Sequence, residues 1–276
     1  MDETVRSSSP TFFHTHRPYH LCRSGAETAV VFIHGFMGSP CQFDPLLPMV
    51  LDAGCSAVGL LLPGHGGRAR DFAGSGMAAW QEHVDRALEA LRRQYARLLL
   101  VGHSMGCLLS IHAAVQQPSQ LSGILALAPP LYLRVSLQGL YDNLRVGLHW
   151  IDPEDARMAI AVATCGVEGV TPINAVSFLP RLLDLYRLSR ASLVETPQLT
   201  VPVTMLFSAH DEWVSRQSIR FARSLQTPSP EPVRIGLLRD SGHFYYTDGD
   251  MERIRRCLRR MLPRGAGWTR AAARED

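Results

Sequence analysis

The stretch "LLLVGHSMGCLLSIHAA", residues 98–114, decides the fold class. It begins as an apolar run of the kind found in strands buried on both faces, and from Met105 it has a helical pattern. Between the two lies Ser104, with Gly102 and Gly106 on either side of it. A strand that turns directly into a helix in this way is typical of a parallel sheet covered by helices.

The rest of the chain alternates between short apolar runs and amphipathic stretches. The apolar runs end at turn residues and occupy residues 28–36, 55–66, 97–104, 122–130, 201–211 and 232–243. Helical patterns occupy residues 77–96, 105–117, 215–226 and 251–262. This alternation predicts an α/β fold with a mostly parallel central sheet flanked by helices. One or two antiparallel strands are expected at the start, within residues 12–22.

One region, residues 131–196, breaks the alternation because it shows helical patterns and no convincing strand. It is predicted to be a helical insertion between two late strands of the sheet. The core then comprises residues 1–130 and 197–263, and residues 264–276 are expected to form a disordered tail. Apolar residues of the insertion are candidates to line a pocket: Leu140, Tyr141, Leu144, Leu148, Trp150, Phe178, Leu182, Leu185 and Tyr186.

Composition narrows the function classes. The net charge of +3 is small for 276 residues and argues against a dedicated nucleic-acid binder. The six cysteines are scattered without a C-x-x-C pair, which favours reduced thiols in a reducing compartment. The start of the chain lacks the basic and apolar segments of a signal peptide, and no run suits a membrane span. A cytoplasmic protein without stable membrane insertion is therefore expected.

The Gly-x-Ser-x-Gly pattern at Gly102–Gly106 has the form of a nucleophile elbow. Such a turn exposes the serine hydroxyl above the sheet, and its glycines allow neighbouring backbone to approach closely. Ser104 is thus the candidate nucleophile. A serine hydroxyl is a weak nucleophile until a base takes its proton, so a histidine and a carboxylate are needed as well.

The base and the acid are expected after the serine in the chain, in the order acid then histidine. Asp211 ends one late apolar run and His243 follows the last, so these are the candidates. Glu212 is the nearest competitor of Asp211, and Asp240 has the simpler interpretation of a loop carboxylate. His103 flanks the nucleophile and is expected to point away from the site.

An acyl-transfer site also needs two backbone N–H groups to stabilise the oxyanion. One is expected from Met105, the residue after the nucleophile. The other is expected from the loop that follows "VVFIHG", residues 30–35, at Phe36.

Five motifs occur in order along the chain: "HGFMGSP", "LLPGHGGRARDF", "VGHSMGC", "SAHDEWV" and "SGHFYYTDGD". Together they resemble the α/β-hydrolase superfamily, nearest to bacterial carboxylesterases and monoacylglycerol lipases. The resemblance implies Ser104 as nucleophile, Asp211 as acid and His243 as base, with an oxyanion hole at Phe36 and Met105. It also implies that residues 131–196 form a cap. Cys107 departs from the pattern, because these relatives often have glycine there.

The resemblance implies a serine carboxylic-ester hydrolase that acts on a small-molecule ester with an apolar acyl chain, without a metal or organic cofactor. Two alternatives are open. The same triad could serve a C–C bond hydrolase, a cofactor-free haloperoxidase or an aminopeptidase. The fold could also be reused as a non-enzymatic small-molecule receptor. The oligomeric state has no signature in the sequence.

Overall fold

The computed structural model describes residues 15–134, 145 and 156–263. Its strands are β1 (Tyr19–Leu21), β2 (Thr28–Ile33), β3 (Ser56–Leu60), β4 (Gly67–Arg68), β5 (Arg97–His103), β6 (Leu121–Leu127), β7 (Val167–Glu168), β8 (Val203–Ser208) and β9 (Arg234–Leu238). The main sheet has the order β1-β3-β2-β5-β6-β8-β9, and β4 pairs with β7 separately. In the main sheet only the β1–β3 pair is antiparallel, so the prediction of a mostly parallel sheet is confirmed.

Helices cover both faces of this sheet. In the described part of the chain they are α1 (Leu47–Asp52), α2 (Ala69–Ala73), α3 (Met77–Arg92), α4 (Met105–Gln116), α5 (Ala156–Thr164), α6 (Pro172–Ala175), α7 (Leu179–Glu195), α8 (Arg216–Ser224) and α9 (Asp248–Met261), with 3-10 turns at Pro40–Leu46, Val176–Phe178 and Thr196–Gln198. The strand β2 shows how the layers form, because its buried side chains alternate between two core clusters. Val31 and Ile33 pack in one cluster with α3 and α4, whereas Val30 and Phe32 pack in the other with α1 and α9.

The helix α9 begins earlier than its apolar pattern predicts. Thr247 is the N-cap, and its side chain accepts a hydrogen bond from the Asp250 N–H at 3.4 Å. Asp248 and Asp250 occupy the first turn, where negative charge suits the helix dipole. Gly249 makes residues 247–250 look like a turn in the sequence. The apolar pattern alone therefore misses Thr247 as the N-cap of the helix.

The region 131–196 is not purely helical, and part of it packs on the core. The two-residue strand β7 lies within it, too short to leave an alternating pattern in the sequence. The helix α7 packs against α3 and α4, and its Leu185 and Leu188 are buried in the same cluster as those helices. That residues 131–196 act as one cap stays a prediction. The expected tail, residues 264–276, lies outside the described residues.

A partly buried ion pair ties α7 to α4 and gives a pH-dependent prediction. Nδ1 of His112 lies 2.7 Å from Oε1 of Glu195. The hydrogen bond to Glu195 raises the pKa of His112 against the opposing effect of burial. Since the folded-state pKa is raised, the pair stabilises fully below the ordinary histidine pKa of about 6.5 and is lost as pH rises through the folded value.

We therefore expect His112→Gln to lower the free energy of unfolding by on the order of 1 kcal/mol at pH 5.5 and by less at pH 9. Urea unfolding of both proteins at the two pH values measures the difference. His210→Gln, at an exposed position, is the matched control. A His112→Gln effect of equal size at both pH values would contradict the assignment.

Candidate active site

The residue Ser104 sits at the turn between β5 and α4 in a strained backbone conformation. Its φ is 50° and its ψ is −119°, a region that non-glycine residues seldom occupy. The turn is tied to the end of β6, because the Ser104 N–H donates to the Leu127 carbonyl at 2.9 Å. The strain and this bond place the hydroxyl at the carboxyl edge of the sheet, as the elbow motif predicts.

The two flanking glycines have no room for a side chain. A methyl group on Gly106 would overlap the carbonyl oxygen of Ile33, at the end of β2. A methyl group on Gly102 would lie 2.7 Å from the backbone nitrogen of Cys107. Cys107 itself is buried behind the elbow, and its thiol lies 3.2 Å from the carbonyls of Gly102 and Leu127. The departure from glycine at this position is therefore accommodated by packing.

The structure brings Ser104, His243 and Asp211 together. Nε2 of His243 lies 2.8 Å from Oγ of Ser104. Nδ1 of the same ring lies 2.9 Å and 3.0 Å from the two carboxylate oxygens of Asp211. Because a carboxylate only accepts, Nδ1–H donates to Asp211, which leaves Nε2 to accept the Ser104 proton. All three side chains are buried.

The carboxylate of Asp211 is held ionised by its surroundings. Its Oδ1 accepts hydrogen bonds from the backbone N–H groups of Trp213 at 2.8 Å and Val214 at 2.7 Å. Burial raises the pKa of this carboxyl, but His243 and the two N–H donors outweigh burial and hold the pKa below its usual value. An ionised Asp211 can both orient the imidazole and stabilise its protonated form.

The competing carboxylates have other positions. Oε2 of Glu212 accepts the backbone N–H of His243 at 3.1 Å, so it contacts the main chain of that residue. Asp240 is exposed. Among the three candidates, only Asp211 is hydrogen-bonded to the ring of His243.

The position of His103 differs from the expectation that it points away from the site. Its Nε2 lies 2.9 Å from the carbonyl oxygen of His243, and the two rings are 5.1 Å apart. Burial and the neighbouring His243 lower the pKa of His103 to about 3, so the ring is neutral at ordinary pH. The strand pattern carries no information about this contact, because it joins residues far apart in the chain.

The loop after β2 lies directly against the nucleophile. A methyl group on Gly35 would be 3.1 Å from Cβ of Ser104. Two histidines hold the backbone near this loop: Nε2 of His34 accepts the Leu62 N–H at 3.0 Å, and Nε2 of His65 accepts the Met37 N–H at 3.2 Å. Burial lowers the pKa of His65 to about 4, so its Nε2 stays an acceptor.

These backbone contacts account for His34 and His65, which lie in the loops after β2 and β3 and outside the triad. Phe36 lies in the loop that they hold, and its ring packs at 5.0 Å from that of Phe72. Met105 is the first residue of α4, where backbone N–H groups have no acceptor within the helix. The predicted oxyanion role of Phe36 and Met105 stays a prediction.

A small, partly open cavity adjoins this loop. Its described lining comes from this loop, from the 3-10 turn Pro40–Leu46, from the end of α5 and the residue after it, and from the residue after His243. These residues are Gly35, Phe36, Met37, Gly38, Gln42, Ala161, Thr164, Cys165 and Phe244. Of the apolar pocket candidates in the insertion, Leu140, Tyr141, Leu144, Leu148 and Trp150 lie outside the described residues. The other four candidates are absent from the described lining. Within residues 15–134, 145 and 156–263, no three His, Cys, Asp or Glu side chains are grouped to hold a metal ion.

The family model of the alpha/beta hydrolase family matches residues 30–256. The chain belongs to the alpha/beta hydrolase family. Among curated relatives of this α/β hydrolase, phospholipase YtpA of Bacillus subtilis is 26% identical over 204 residues, which cover 69% of this chain and 78% of that protein. The probable lysophospholipase BODYGUARD 1 of Arabidopsis thaliana is 32% identical over 115 residues. That match covers 39% of this chain but 24% of the plant protein, so the chain spans about a quarter of that relative.

Solved structures support the α/β-hydrolase fold. One of the metagenome-derived lipolytic enzymes LipS and LipT matches with a TM-score of 0.69 at 21% identity, over 90% of this chain and 97% of that one. The monoacylglycerol lipase of Paleococcus ferrophilus matches with a TM-score of 0.64 at 16% identity, over 91% and 99%. No helix among the described residues of this hydrolase is long and apolar enough to span a membrane.

Proposed function

We propose that this chain is a serine carboxylic-ester hydrolase of the carboxylesterase or monoacylglycerol-lipase type. The observation that carries the proposal is the unbroken hydrogen-bond chain from Ser104 through His243 to Asp211. A phospholipase among the relatives and a monoacylglycerol lipase among the solved structures of the same fold support the ester class.

In the proposed reaction, Oγ of Ser104 attacks the ester carbonyl while Nε2 of His243 takes the hydroxyl proton. The backbone N–H groups of Phe36 and Met105 stabilise the resulting oxyanion. The tetrahedral intermediate collapses to an acyl-enzyme, and the imidazolium returns its proton to the departing alcohol. A water molecule then repeats the sequence, with His243 as base, and releases the acid. These steps use only side chains, backbone and water.

The substrate is proposed to be a small-molecule ester with an apolar acyl chain. The cavity beside the oxyanion loop has the aromatic and aliphatic residues Phe36, Met37, Ala161 and Phe244 in its wall. Such a wall contributes about 25 cal/mol for each Å² of apolar ligand surface that it covers. The cytoplasm is the proposed compartment, because all six cysteines are free thiols.

Hydrolysis of p-nitrophenyl esters, from acetate to palmitate, tests the proposal together with labelling by a fluorophosphonate probe. We expect turnover with an optimum at one acyl length and stoichiometric labelling that peptide mass spectrometry maps to Ser104. Labelling of Ser104 without turnover of any ester would overturn the ester class. Folded protein that neither turns over nor becomes labelled would overturn the serine-hydrolase assignment altogether.

A further inference from the structure

The imidazole of His243 is carried by a loop rather than by a strand. The strand β9 ends at Leu238 and α9 begins at Asp248. Asp250 anchors the first part of the loop, since its carboxylate accepts hydrogen bonds from the N–H groups of Arg239 and Asp240 and from the Ser241 hydroxyl. None of these bonds involves His243, so other contacts must set the position of its backbone.

Two side chains contact the main chain of His243. Its N–H donates to Oε2 of Glu212 at 3.1 Å. Its carbonyl oxygen accepts a hydrogen bond from Nε2 of His103 at 2.9 Å. The carboxylate of Glu212 also lies against the preceding residue, because a methyl group on Gly242 would meet its Oε1 at 3.0 Å.

We propose that His103 and Glu212 are positioning residues. His103 holds the C=O of His243 and Glu212 holds its N–H, so that the imidazole bridges Ser104 and Asp211. His103 directly precedes Ser104, and Glu212 directly follows Asp211. Each contact therefore comes from the neighbour of another triad member. The three separate chain segments that carry the triad are joined at the backbone of one residue, His243, independently of the hydrogen bonds between the triad side chains.

The chemistry of both groups suits this role. A carbonyl oxygen only accepts, so the Nε2 of His103 carries the proton in this contact. Its ring is buried, and burial disfavours the charged form, so the neutral donor persists across the working pH range. The N–H of His243 needs an acceptor. The Glu212 side chain is long enough to bring its Oε2 within 3.1 Å of that nitrogen.

Four variants distinguish whether His103 and Glu212 act through the reach of their side chains, through their charge or through general packing. His103→Gln and Glu212→Gln keep the length and the donor or acceptor atom, whereas His103→Asn and Glu212→Asp shorten the side chain by about one bond. The readout is kcat and KM for p-nitrophenyl butyrate, with kcat expressed per site titrated by the fluorophosphonate probe. Titration removes any loss that is due only to misfolded protein. These kinetic readouts rest on the proposed function.

We expect the shortened variants to lose about 10- to 100-fold in kcat, because small misplacements of catalytic groups are costly, with KM nearly unchanged. The glutamine variants should keep a kcat within about threefold of wild type, because they leave the hydrogen-bonding atom in place and avoid such misplacement. Unchanged kcat in both shortened variants would overturn the proposal. So would the reverse order at Glu212, with Gln impaired and Asp intact, since the charge rather than the reach would then matter.

Proton NMR supplies a readout that needs no substrate. The Nδ1 proton of His243, shared with Asp211, should give a far-downfield signal that His243→Gln removes. We expect His103→Gln and Glu212→Gln to keep this signal and the two shortened variants to broaden or lose it. If wild-type protein hydrolyses no ester, the proposed function fails while this signal still decides on the positioning role. A signal that is identical in all four variants would rule that role out.

Discussion

Ser104→Ala is expected to lower kcat for p-nitrophenyl esters by about 10⁶-fold, the loss seen when a serine nucleophile is removed from a triad in other enzymes. The variant keeps the fold, because alanine removes only the hydroxyl from a site whose backbone is set by the Leu127 bond and the flanking glycines. The measurement is steady-state hydrolysis at high enzyme concentration, with probe titration to correct for contaminating wild-type protein.

The matched control is Ser110→Ala. This serine lies on α4, the helix that directly follows Ser104, and it is also buried. It donates to the Gly106 carbonyl at 2.7 Å and is not hydrogen-bonded to His243. We expect its kcat to stay near the wild-type value. A Ser104→Ala protein that kept more than about 1% of wild-type kcat would contradict the proposed nucleophile. Substrate binding and the oxyanion hole alone support a far smaller kcat than that.

Asp211→Asn is expected to lower kcat by about 10⁴-fold, and the local geometry gives the reason. The Oδ1 position is fixed as an acceptor by the N–H groups of Trp213 and Val214. The asparagine oxygen therefore takes that place and its NH₂ group faces Nδ1 of His243, formerly 2.9 Å from Oδ2. Nδ1 must then accept, the ring proton moves to Nε2, and the imidazole can no longer take the Ser104 proton.

Steady-state kinetics and probe labelling check this result. Asp240→Asn is the control, because Asp240 lies only three residues before His243 in the sequence but is exposed. It should behave as wild type. Folded Asp211→Asn with kcat within about tenfold of wild type would show that another group orients the imidazole, because a wrong tautomer costs far more.

Much of the site could be predicted because its signals are local. Ser104 stands in a strand–turn–helix pattern, and Asp211 and His243 follow apolar runs that end at the same edge of a parallel sheet. Parallel strands place their carboxyl ends together, so strand order alone brings such residues close. The main sheet follows for the same reason, since most of its strands are short and largely apolar runs.

The remaining features depend on contacts between distant segments. The hydrogen bonds of His103 and Glu212 to His243 span 140 and 31 residues, and neither leaves a periodic pattern. The strand β7 is only two residues long and exists because β4 lies beside it. The cavity wall draws on α5, whose apolar residues look the same whether they pack inward or line a pocket.

The pairing of β7 with β4 also limits how the active site can open. Around this pair, the Gly66 N–H donates to the Gly166 carbonyl at 2.6 Å, and the Gly166 N–H donates to the Met37 carbonyl at 2.7 Å. Gly166 is thus hydrogen-bonded on one side to Gly66, the residue before β4, and on the other to the loop beside the nucleophile. A movement of α5 and β7 away from the sheet would break both bonds, so we expect the backbone at Gly166 to stay in place. We therefore expect the loop beside Ser104 to keep the same backbone conformation whether or not a ligand is bound.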